Sequence, residues 1–225
     1  MDQSVTNERA HCIRCGECCL GSSPTLQMVD VSLVYDGFIE KGNLYTIRLG
    51  ELVRDNIRGG LRVTDKEMIK IKEKENSQGC IYYDEKAKAC TIYEYRPIQC
   101  KALACWDESE FMRVYARPKA DRRDIIRDNI VMGLMKEHDR RCSYMKLDTF
   151  VRQIEKEGEG AVGRILEVLR FDHHIRKFTS KKLGIGFSEM DFLFGRPLTQ
   201  TIAIFGLKVI KQPDGSFFLT TLESS

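Results

Sequence analysis

The sequence predicts an α+β fold that is mostly helical, with a cysteine-rich loop, a small hairpin that follows it and a second hairpin at the C-terminus. Helical periodicity of apolar residues runs through residues 121–142 and 147–178. Strand-like segments flank polar turns within residues 80–93 and 207–222. Glycine, serine and proline interrupt residues 12–24, which is typical of an irregular loop.

Composition indicates a folded globular protein without a nucleic-acid partner. The 225-residue chain has 42% hydrophobic and 31% charged residues, as globular domains do. Its 36 Lys and Arg residues stand against 33 Asp and Glu residues, which leaves a net charge of only +3. We therefore expect no nucleic acid and no membrane as partners, because both favour a strong excess of basic residues.

Apolar segments suited to secretion or to membrane insertion are not evident. Residues 1–10 are polar and lead directly to the first cysteine, so we expect no secretory signal. The apolar stretch at residues 201–207 is far shorter than the ~20 residues that span a bilayer. We therefore expect a cytoplasmic, reducing compartment, where clustered cysteines more often bind metals or carry out redox chemistry than form disulfides.

Short elements are predicted before the first hairpin. Residues 31–41 are expected to form a helix that Asp30 caps and Gly42 ends. Residues 68–72 alternate apolar residues with lysine, which predicts either an edge strand or the end of a charged helix. These elements separate the cysteine-rich loop from the remaining cysteines of the chain.

The first hairpin is predicted to line a metal site. Its arms are residues 80–83 and 90–93. If its turn centres near Glu85, Cys80 and Cys90 lie almost opposite each other, with Cβ atoms ~5 Å apart. Two thiols at that separation are close enough to share a metal.

Helices are predicted after this hairpin. Proline fits a first helical position, so Arg96-Pro97 marks a helix start. Cys100 then lies in the first turn, where the positive end of the helix dipole favours a thiolate. Residues 121–142 are expected to form an amphipathic helix with an apolar face of Ile126, Ile130 and Leu134, flanked by Val131 and Met135.

The C-terminal part lacks cysteines and is predicted to be helical before its hairpin. A helical region over residues 147–178 is interrupted near Gly158 and Gly160. Because the cysteines end before residue 145, we predict a metal-binding, cysteine-cluster domain over residues 1–145. Residues 146–225 would form a helical segment plus the C-terminal hairpin, either as a separate part or as a continuation of the same domain.

Nine cysteines are the most unusual feature of the chain. Cys12, Cys15 and Cys18 follow a C-x2-C-x2-C pattern, and three thiolates at this spacing can hold one cluster from a single loop, as in bacterial ferredoxins. Gly16 allows the tight turn that this needs. Because side chains of adjacent residues usually point apart, Cys18 and Cys19 are expected to serve different metals, or only one of them to bind.

Further cysteines provide more ligands than one cluster needs. Cys100 and Cys105 also have a spacing found in zinc sites. The chain could therefore build two four-ligand sites or one larger site with additional thiols, and spacing does not decide between them. The candidate metal ligands are Cys12, Cys15, Cys18, Cys19, Cys80, Cys90, Cys100 and Cys105.

These cysteines resemble those of a known family. The run from Cys12 to Cys19 and the later pattern are similar to the CxxCxxCC zinc- or iron-chelating family, also called YkgJ-like, and flagellin lysine N-methylases carry a related domain. The resemblance covers about residues 12–105 and implies a metal or iron–sulfur centre that the cysteines hold. It also favours a structural role for Arg96 beside the ligands. The later pattern comprises Cys90, Ile92, Tyr93, Arg96, Pro97 and Cys100.

The triple C-x2-C-x2-C spacing favours an iron–sulfur cluster, expected to be of the 4Fe–4S type, over zinc. An iron–sulfur protein would have a redox role or an accessory role in protein modification, with an unknown protein partner or electron donor. The alternatives are a zinc-stabilised binding module without catalysis and a metal-trafficking protein. No general base is identifiable, so whether the protein is an enzyme stays open.

Other candidate residues have simpler interpretations. Cys142 is expected to be a buried free cysteine of the core. His173 follows Leu169 by four residues, which favours a packed histidine over a metal ligand. His11 is expected to be either a solvated histidine or a hydrogen-bond partner that tunes the cluster.

Overall fold

The computed structural model describes residues 12–55, 57 and 59–222. The chain forms two compact units, and each is built from separate stretches of sequence. The first unit contains the described part of Met1–Ile39 together with Lys70–Ala120, and the second contains Glu40–Ile69 and Asp121–Ser225 as far as they are described. The architecture is α+β and mostly helical, as predicted from the sequence.

The first unit is built from short elements joined by loops. Its helices and strands are α1 (Glu17–Gly21), α2 (Val31–Tyr35), β5 (Tyr83–Asp84), β6 (Ala89–Cys90), α3 (Ile98–Ala102) and α4 (Ser109–Tyr115). Strand β4 (Met68–Ile71) crosses the boundary between the units, so the expected strand at residues 68–72 is confirmed.

Asp30 organises the first unit from a buried position. Its carboxylate accepts hydrogen bonds from the backbone N–H groups of Gln27 and Ile98, each at 2.8 Å. It thereby links the segment before α2 to the first residue of α3. Burial raises the pKa of this carboxyl group, while the two backbone donors oppose that rise. The predicted helix over residues 31–41 was too long, because α2 ends at Tyr35 and Gly37 follows with φ +78°.

The first hairpin exists, but its predicted register was wrong. Cys90 pairs with Tyr83, while Cys80 forms an isolated bridge with Glu73. The carboxylate of Asp84 accepts hydrogen bonds from the N–H groups of Lys86 and Ala87, at 2.8 and 3.0 Å. This local turn centres the hairpin between those two residues instead of near Glu85.

The second unit contains the longest helices. Its elements are β1 (Leu44–Ile47), β2 (Leu52–Arg54), β3 (Leu61–Val63), α5 (Arg122–Ile125), α6 (Asn129–Arg141), α7 (Tyr144–Arg152), α8 (Ile154–Glu157), α9 (Glu159–Leu183), α10 (Met190–Phe194), α11 (Leu198–Thr201), β7 (Leu207–Lys211) and β8 (Phe217–Thr221). Strands β2 and β3 form an antiparallel pair, as do β7 and β8.

The predicted helix over residues 121–142 is divided into two helices. The carboxylate of Asp128 accepts hydrogen bonds from the N–H groups of Ile130 and Val131, so a new helix, α6, starts there. The predicted apolar face was also misplaced, because Ile130 is 64% exposed. The buried side chains of α6 are Val131, Met135 and His138.

The rest of the second unit agrees with the sequence-based prediction. Gly158 separates α8 from α9 with φ +52°, at the expected interruption. The C-terminal hairpin has the expected arms, and Leu207 pairs with Thr221. The expected domain boundary near residue 145 lies within this unit, in the first turn of α7, and stays a prediction about separately folding parts.

A buried apolar cluster stabilises the second unit. Each fully buried aliphatic or phenylalanine side chain contributes about 1.5–3 kcal/mol of transfer free energy. The cluster contains Cys142, Tyr144, Leu147, Ile165, Leu169, Leu198, Ile202, Leu207 and Phe217. Within the described residues, no helix combines the length and the apolar character that a membrane crossing requires.

Candidate metal centre

The cysteine-rich loop turns sharply before it enters α1. Arg14 has φ +57° and Gly16 has φ +85°, so the backbone adopts a left-handed conformation at two positions between Cys12 and Glu17. The N–H of Arg14 points to the sulfur of Cys12 at 3.4 Å. Helix α1 then begins, and it carries Cys18 and the neighbouring Cys19.

The hairpin strand β5 packs against this loop at Gly16. A β-carbon at Gly16 would lie only 2.0 Å from the hydroxyl oxygen of Tyr83. The N–H of Cys80 also donates a hydrogen bond of 2.7 Å to the carbonyl of Cys19. The loop and the segment that carries the later cysteines are therefore fixed to each other by a close ring contact and by a backbone hydrogen bond.

Cys18 and Cys19 form a pair, contrary to the expectation that their side chains point apart. Their sulfur atoms are 3.9 Å apart and share a hydrogen bond. The thiol of Cys19 stabilises the thiolate of Cys18 and lowers the pKa of Cys18 to about 6. The same hydrogen bond raises the pKa of Cys19. Cys18 is thus a thiolate near neutral pH, which is the form that binds metals.

Cys100 lies in the first turn of α3, as predicted, but the predicted effect of the helix dipole was wrong. Burial raises the pKa of Cys100, and the nearby thiolates of Cys80 and Cys90 raise it further. The positive charge of Arg96 opposes this rise only in part. A bound cation would supply the positive charge that these thiolates need to ionise together.

Three further candidate ligands also have raised pKa values. Burial raises the pKa of Cys80, and it also raises that of Cys90, where the N–H of Ile92 and the charge of Arg96 oppose it. Desolvation raises the pKa of Cys105, and the thiolates of the cysteine-rich loop add to that effect. All eight candidate ligands are free thiols.

Two guanidinium groups lie on the ring of Tyr93. The guanidinium carbon of Arg96 is 3.8 Å from the ring centroid, and that of Arg14 is 4.4 Å from it. Arg96 also donates a hydrogen bond of 2.5 Å to the carbonyl of Tyr93. Sequence reasoning identified Arg96 but missed Arg14, although its position between Cys12 and Cys15 placed it beside the candidate ligands.

The spacing of the sulfur atoms differs from that of a closed zinc site. Zinc–sulfur bonds of about 2.3 Å in a tetrahedron place the sulfurs about 3.8 Å apart. Within residues 12–55, 57 and 59–222, a single group places three His, Cys, Asp or Glu ligand atoms within 4.8 Å of one another. None of the eight candidate cysteines belongs to that group. The eight free thiols are a donor set that both zinc and iron accept.

That compact group lies in the second unit and was missed by the sequence analysis. It consists of His138, Cys142 and Asp172, all of them buried. Asp172 accepts hydrogen bonds from His138 Nε2 at 2.8 Å, from Arg176 Nε at 3.0 Å and from the N–H of Leu198 at 3.0 Å. The i, i+4 spacing of His138 and Cys142 on α6 was the available signal.

Hydrogen bonds and an ion pair satisfy the carboxylate of this buried group, while His138 Nδ1 is buried without a hydrogen-bond partner among the described residues. Asp172 already has three donors, and the guanidinium of Arg176 balances its charge. Burial raises the pKa of Cys142 to about 12, which keeps it a thiol. Cys142 is therefore the buried free cysteine that the sequence predicted.

His173 and His174 belong to the second unit. His173 is half-buried and packs edge-on against Phe217, with ring centroids 5.5 Å apart. His174 is exposed and lies beside Phe178. His11 lies outside the described residues.

Comparison with known proteins agrees with this location of the site. Residues 11–117 match the sequence model of the CxxCxxCC family, described as a "Putative zinc- or iron-chelating domain". This match confirms the resemblance stated from the sequence and supports chelation of zinc or iron by this part of the chain. No curated protein and no solved structure matches the chain.

Proposed function

We propose that the first unit is an iron–sulfur domain, with clusters of the 4Fe–4S type, and that it has a redox role or an accessory role in protein modification. The observation that carries this proposal is the set of eight free thiols in one unit. Three of them follow the ferredoxin-like C-x2-C-x2-C spacing. The proposed ligands are Cys12, Cys15, Cys18, Cys19, Cys80, Cys90, Cys100 and Cys105.

The residues of the chain prepare this site for a negatively charged ligand set. Cys18 is already ionised near neutral pH. Arg14 and Arg96, both held at Tyr93, bring positive charge to the loop and to the later cysteines. Gly16 leaves space for Tyr83, whose ring covers the loop. An iron–sulfur cluster, when bound, supplies one-electron chemistry at potentials that such charges and hydrogen bonds adjust.

A protein partner or an electron donor is part of this proposal, because a redox centre needs a source and an acceptor of electrons. Half of the proposed ligands are exposed, including Cys12 and Cys105, so a partner could approach them closely. A cytoplasmic location is also proposed, since a reducing compartment would preserve nine free thiols.

A zinc-stabilised binding module is the second candidate. The 3.9 Å separation between the sulfurs of Cys18 and Cys19 equals, within error, one edge of a zinc–thiolate tetrahedron. Such a protein would be colourless and would have no redox activity. The C-x2-C-x2-C spacing of Cys12, Cys15 and Cys18 favours the iron–sulfur proposal.

Anaerobic purification and visible spectroscopy separate the two candidates. We expect a brown protein whose visible absorption bleaches reversibly on reduction with dithionite. The Cys15→Ser variant should lose this absorption, while Cys142→Ala, which removes a thiol of the second unit, should keep it. A colourless wild-type protein with bound zinc would contradict the proposal, as would full metal content in the Cys15→Ser variant.

A further inference from the structure

We infer that α9 joins the chain to a second copy of itself, through an antiparallel pair of α9 helices related by a two-fold axis. Helix α9 lies in the second unit, so the proposed metal site takes no part in this contact. The charged side chains along the exposed face of the helix are arranged so that the face complements itself.

One face of α9 is open to solvent along most of the helix. Its members recur at intervals of three or four residues, which places them side by side on an α-helix. This α9 stripe consists of Glu159, Gly163, Glu167, Arg170, His174, Lys177 and Lys181. All of its side chains are exposed, whereas Ile165 and Leu169 on the opposite face belong to the buried apolar cluster.

Charge is divided between the two halves of the α9 stripe. The charged members of the first half are acidic, and those of the second half are basic. They are Glu159 and Glu167 in the first half, and Arg170, Lys177 and Lys181 in the second. Among the residues that the structure describes, none of these five forms an ion pair. Their charges are therefore available to another molecule.

An antiparallel arrangement pairs opposite charges along the whole stripe. If the two-fold axis passes between Glu167 and Arg170, each Glu167 lies opposite Arg170 of the second copy, and the contact occurs twice. With a rise of about 1.5 Å per residue, Glu159 then lies within about 1.5 Å of the level of Lys177 along the helix axis. A parallel pair would place each charge beside its own copy, which disfavours that orientation.

Two glycines leave room for the second helix. A β-carbon at Gly163 would have open space around it, and one at Gly160 would come no closer than 3.9 Å to the guanidinium of Arg164. In the antiparallel register, Gly163 lies at the level of His174 of the second copy, and Gly160 lies near the level of Phe178. The ring of Phe178 is 42% exposed and would supply apolar contact there.

A second copy fits the α9 stripe better than a nucleic acid does. Phosphate groups are attracted by basic side chains and repelled by acidic ones, so they would meet only half of the stripe favourably. A second copy of the same helix meets both halves with the opposite charge. The self-complementary pattern therefore favours association between copies of this chain.

Charge-reversal variants of the full chain test this contact by sedimentation equilibrium. Glu167→Arg and Arg170→Glu each bring like charges together twice across the two-fold axis. We expect each variant to raise the dissociation constant of the dimer about tenfold or more. An equimolar mixture of the two variants should restore the dimer, because their reversed charges then face each other as opposite pairs. The wild-type dimer should weaken as the salt rises from ~0.05 M to ~0.5 M.

The mixture separates association from helix stability. Acidic residues early in a helix and basic residues late in it also suit the dipole of a single helix, but mixing two variants would not repair a loss of that kind. Lys136→Glu, which reverses an exposed charge of α6, should leave the dimer intact. A monomeric wild-type protein at low salt would overturn the inference. A dimer that survives in both single variants, or a mixture that stays monomeric, would overturn it as well.

Discussion

The hydroxyl of Tyr83 lies where the side chain of any other residue at position 16 would begin, since a β-carbon at Gly16 would be 2.0 Å from it. Gly16 also has φ +85°, a conformation that other residues adopt at a cost. We therefore expect Gly16→Ala to displace the hairpin from the loop and to reduce the metal content. Elemental analysis of the purified variant measures this loss.

Two glycine variants of the same unit serve as controls for Gly16→Ala. Gly37 has φ +78° but open space around its Cα, so Gly37→Ala tests backbone strain alone. Gly21 has open space and no positive φ, so Gly21→Ala should be nearly neutral. If Gly16→Ala retained as much metal as Gly21→Ala, the close contact with Tyr83 would not matter for the site.

Removal of the metal should loosen the first unit without loosening the second. Thiolate ligands from distant segments are held together by the metal, so metal binding contributes to folding. After chelation, amide hydrogen exchange should accelerate at Cys80 and Thr91, whose N–H groups bond to Cys19 and Tyr82. Exchange in the central turns of α9 should not change. Equal protection of both units before and after chelation would argue against a structural role of the metal.

Arg96 should raise the reduction potential of the proposed cluster that Cys90 and Cys100 bind. Its charge acts on Cys90 and Cys100, and a cation favours the reduced, more negative state of a cluster. Arg96→Gln should therefore make the midpoint potential more negative by up to ~59 mV, a tenfold change in a one-electron equilibrium. A potentiometric titration measures the shift, and the exposed Arg113→Gln variant of the same unit should leave the potential unchanged.

Asp172 should be essential for the stability of the second unit. Its substitution by asparagine removes the buried carboxylate that pairs with the guanidinium of Arg176, and only the more exposed carboxylate of Asp191, at 3.3 Å, remains. Breaking a buried ion pair in this way costs about 3–5 kcal/mol. We expect a loss of this size in the free energy of urea unfolding for Asp172→Asn. The exposed pair of Asp148 with Arg152 provides the control, since Asp148→Asn should cost no more than about 1 kcal/mol.

The second unit should lose stability as the pH falls below neutrality. Burial lowers the pKa of His138 in the folded state, and the charge of Arg48 adds to this, although Asp139 and Asp172 oppose it. In the unfolded state His138 binds a proton at about pH 6.5, whereas in the folded state it stays neutral at that pH. The contribution of neutral His138 to the free energy of unfolding is therefore complete above that pH and is lost as the pH falls below it. Urea unfolding at pH 5 and pH 7.5 measures this loss.

A histidine variant isolates the contribution of His138 to this pH dependence. His138→Gln retains an N–H donor for Asp172 but does not titrate, so the difference in stability between the two pH values should become smaller. The exposed His174→Gln variant should keep the wild-type difference. An unchanged pH dependence in His138→Gln would show that other groups cause the loss.

The cysteine-rich loop of the first unit was predictable from the sequence, but its packing was not. The C-x2-C-x2-C spacing identified the loop because thiols that are close in sequence need no knowledge of the fold. The contact of Tyr83 with Gly16 depends on tertiary structure, which spacing does not encode. The predicted register of the first hairpin was wrong for a local reason. The carboxylate of Asp84 accepts hydrogen bonds from the N–H groups of Lys86 and Ala87, which moves the turn.

In the second unit, too, the sequence predicted local structure but not the contacts between distant residues. Long periodic segments predicted α7 to α9, and the turn sequence that ends at Gly215 predicted the C-terminal hairpin. In the structure Gly215 has φ +84°, as such a turn requires. The predicted apolar face of α6 failed because the cap at Asp128 sets the start of that helix. The contact between His138 and Asp172 joins residues on two different helices, and no sequence pattern links them.

Iron, acid-labile sulfide and zinc per chain in the anaerobically purified protein test the central claim most directly. Clusters of the 4Fe–4S type predict about four iron atoms per cluster with an equal amount of sulfide, and no stoichiometric zinc. Stoichiometric zinc without sulfide would contradict the iron–sulfur assignment and would identify the first unit as a zinc-stabilised binding module.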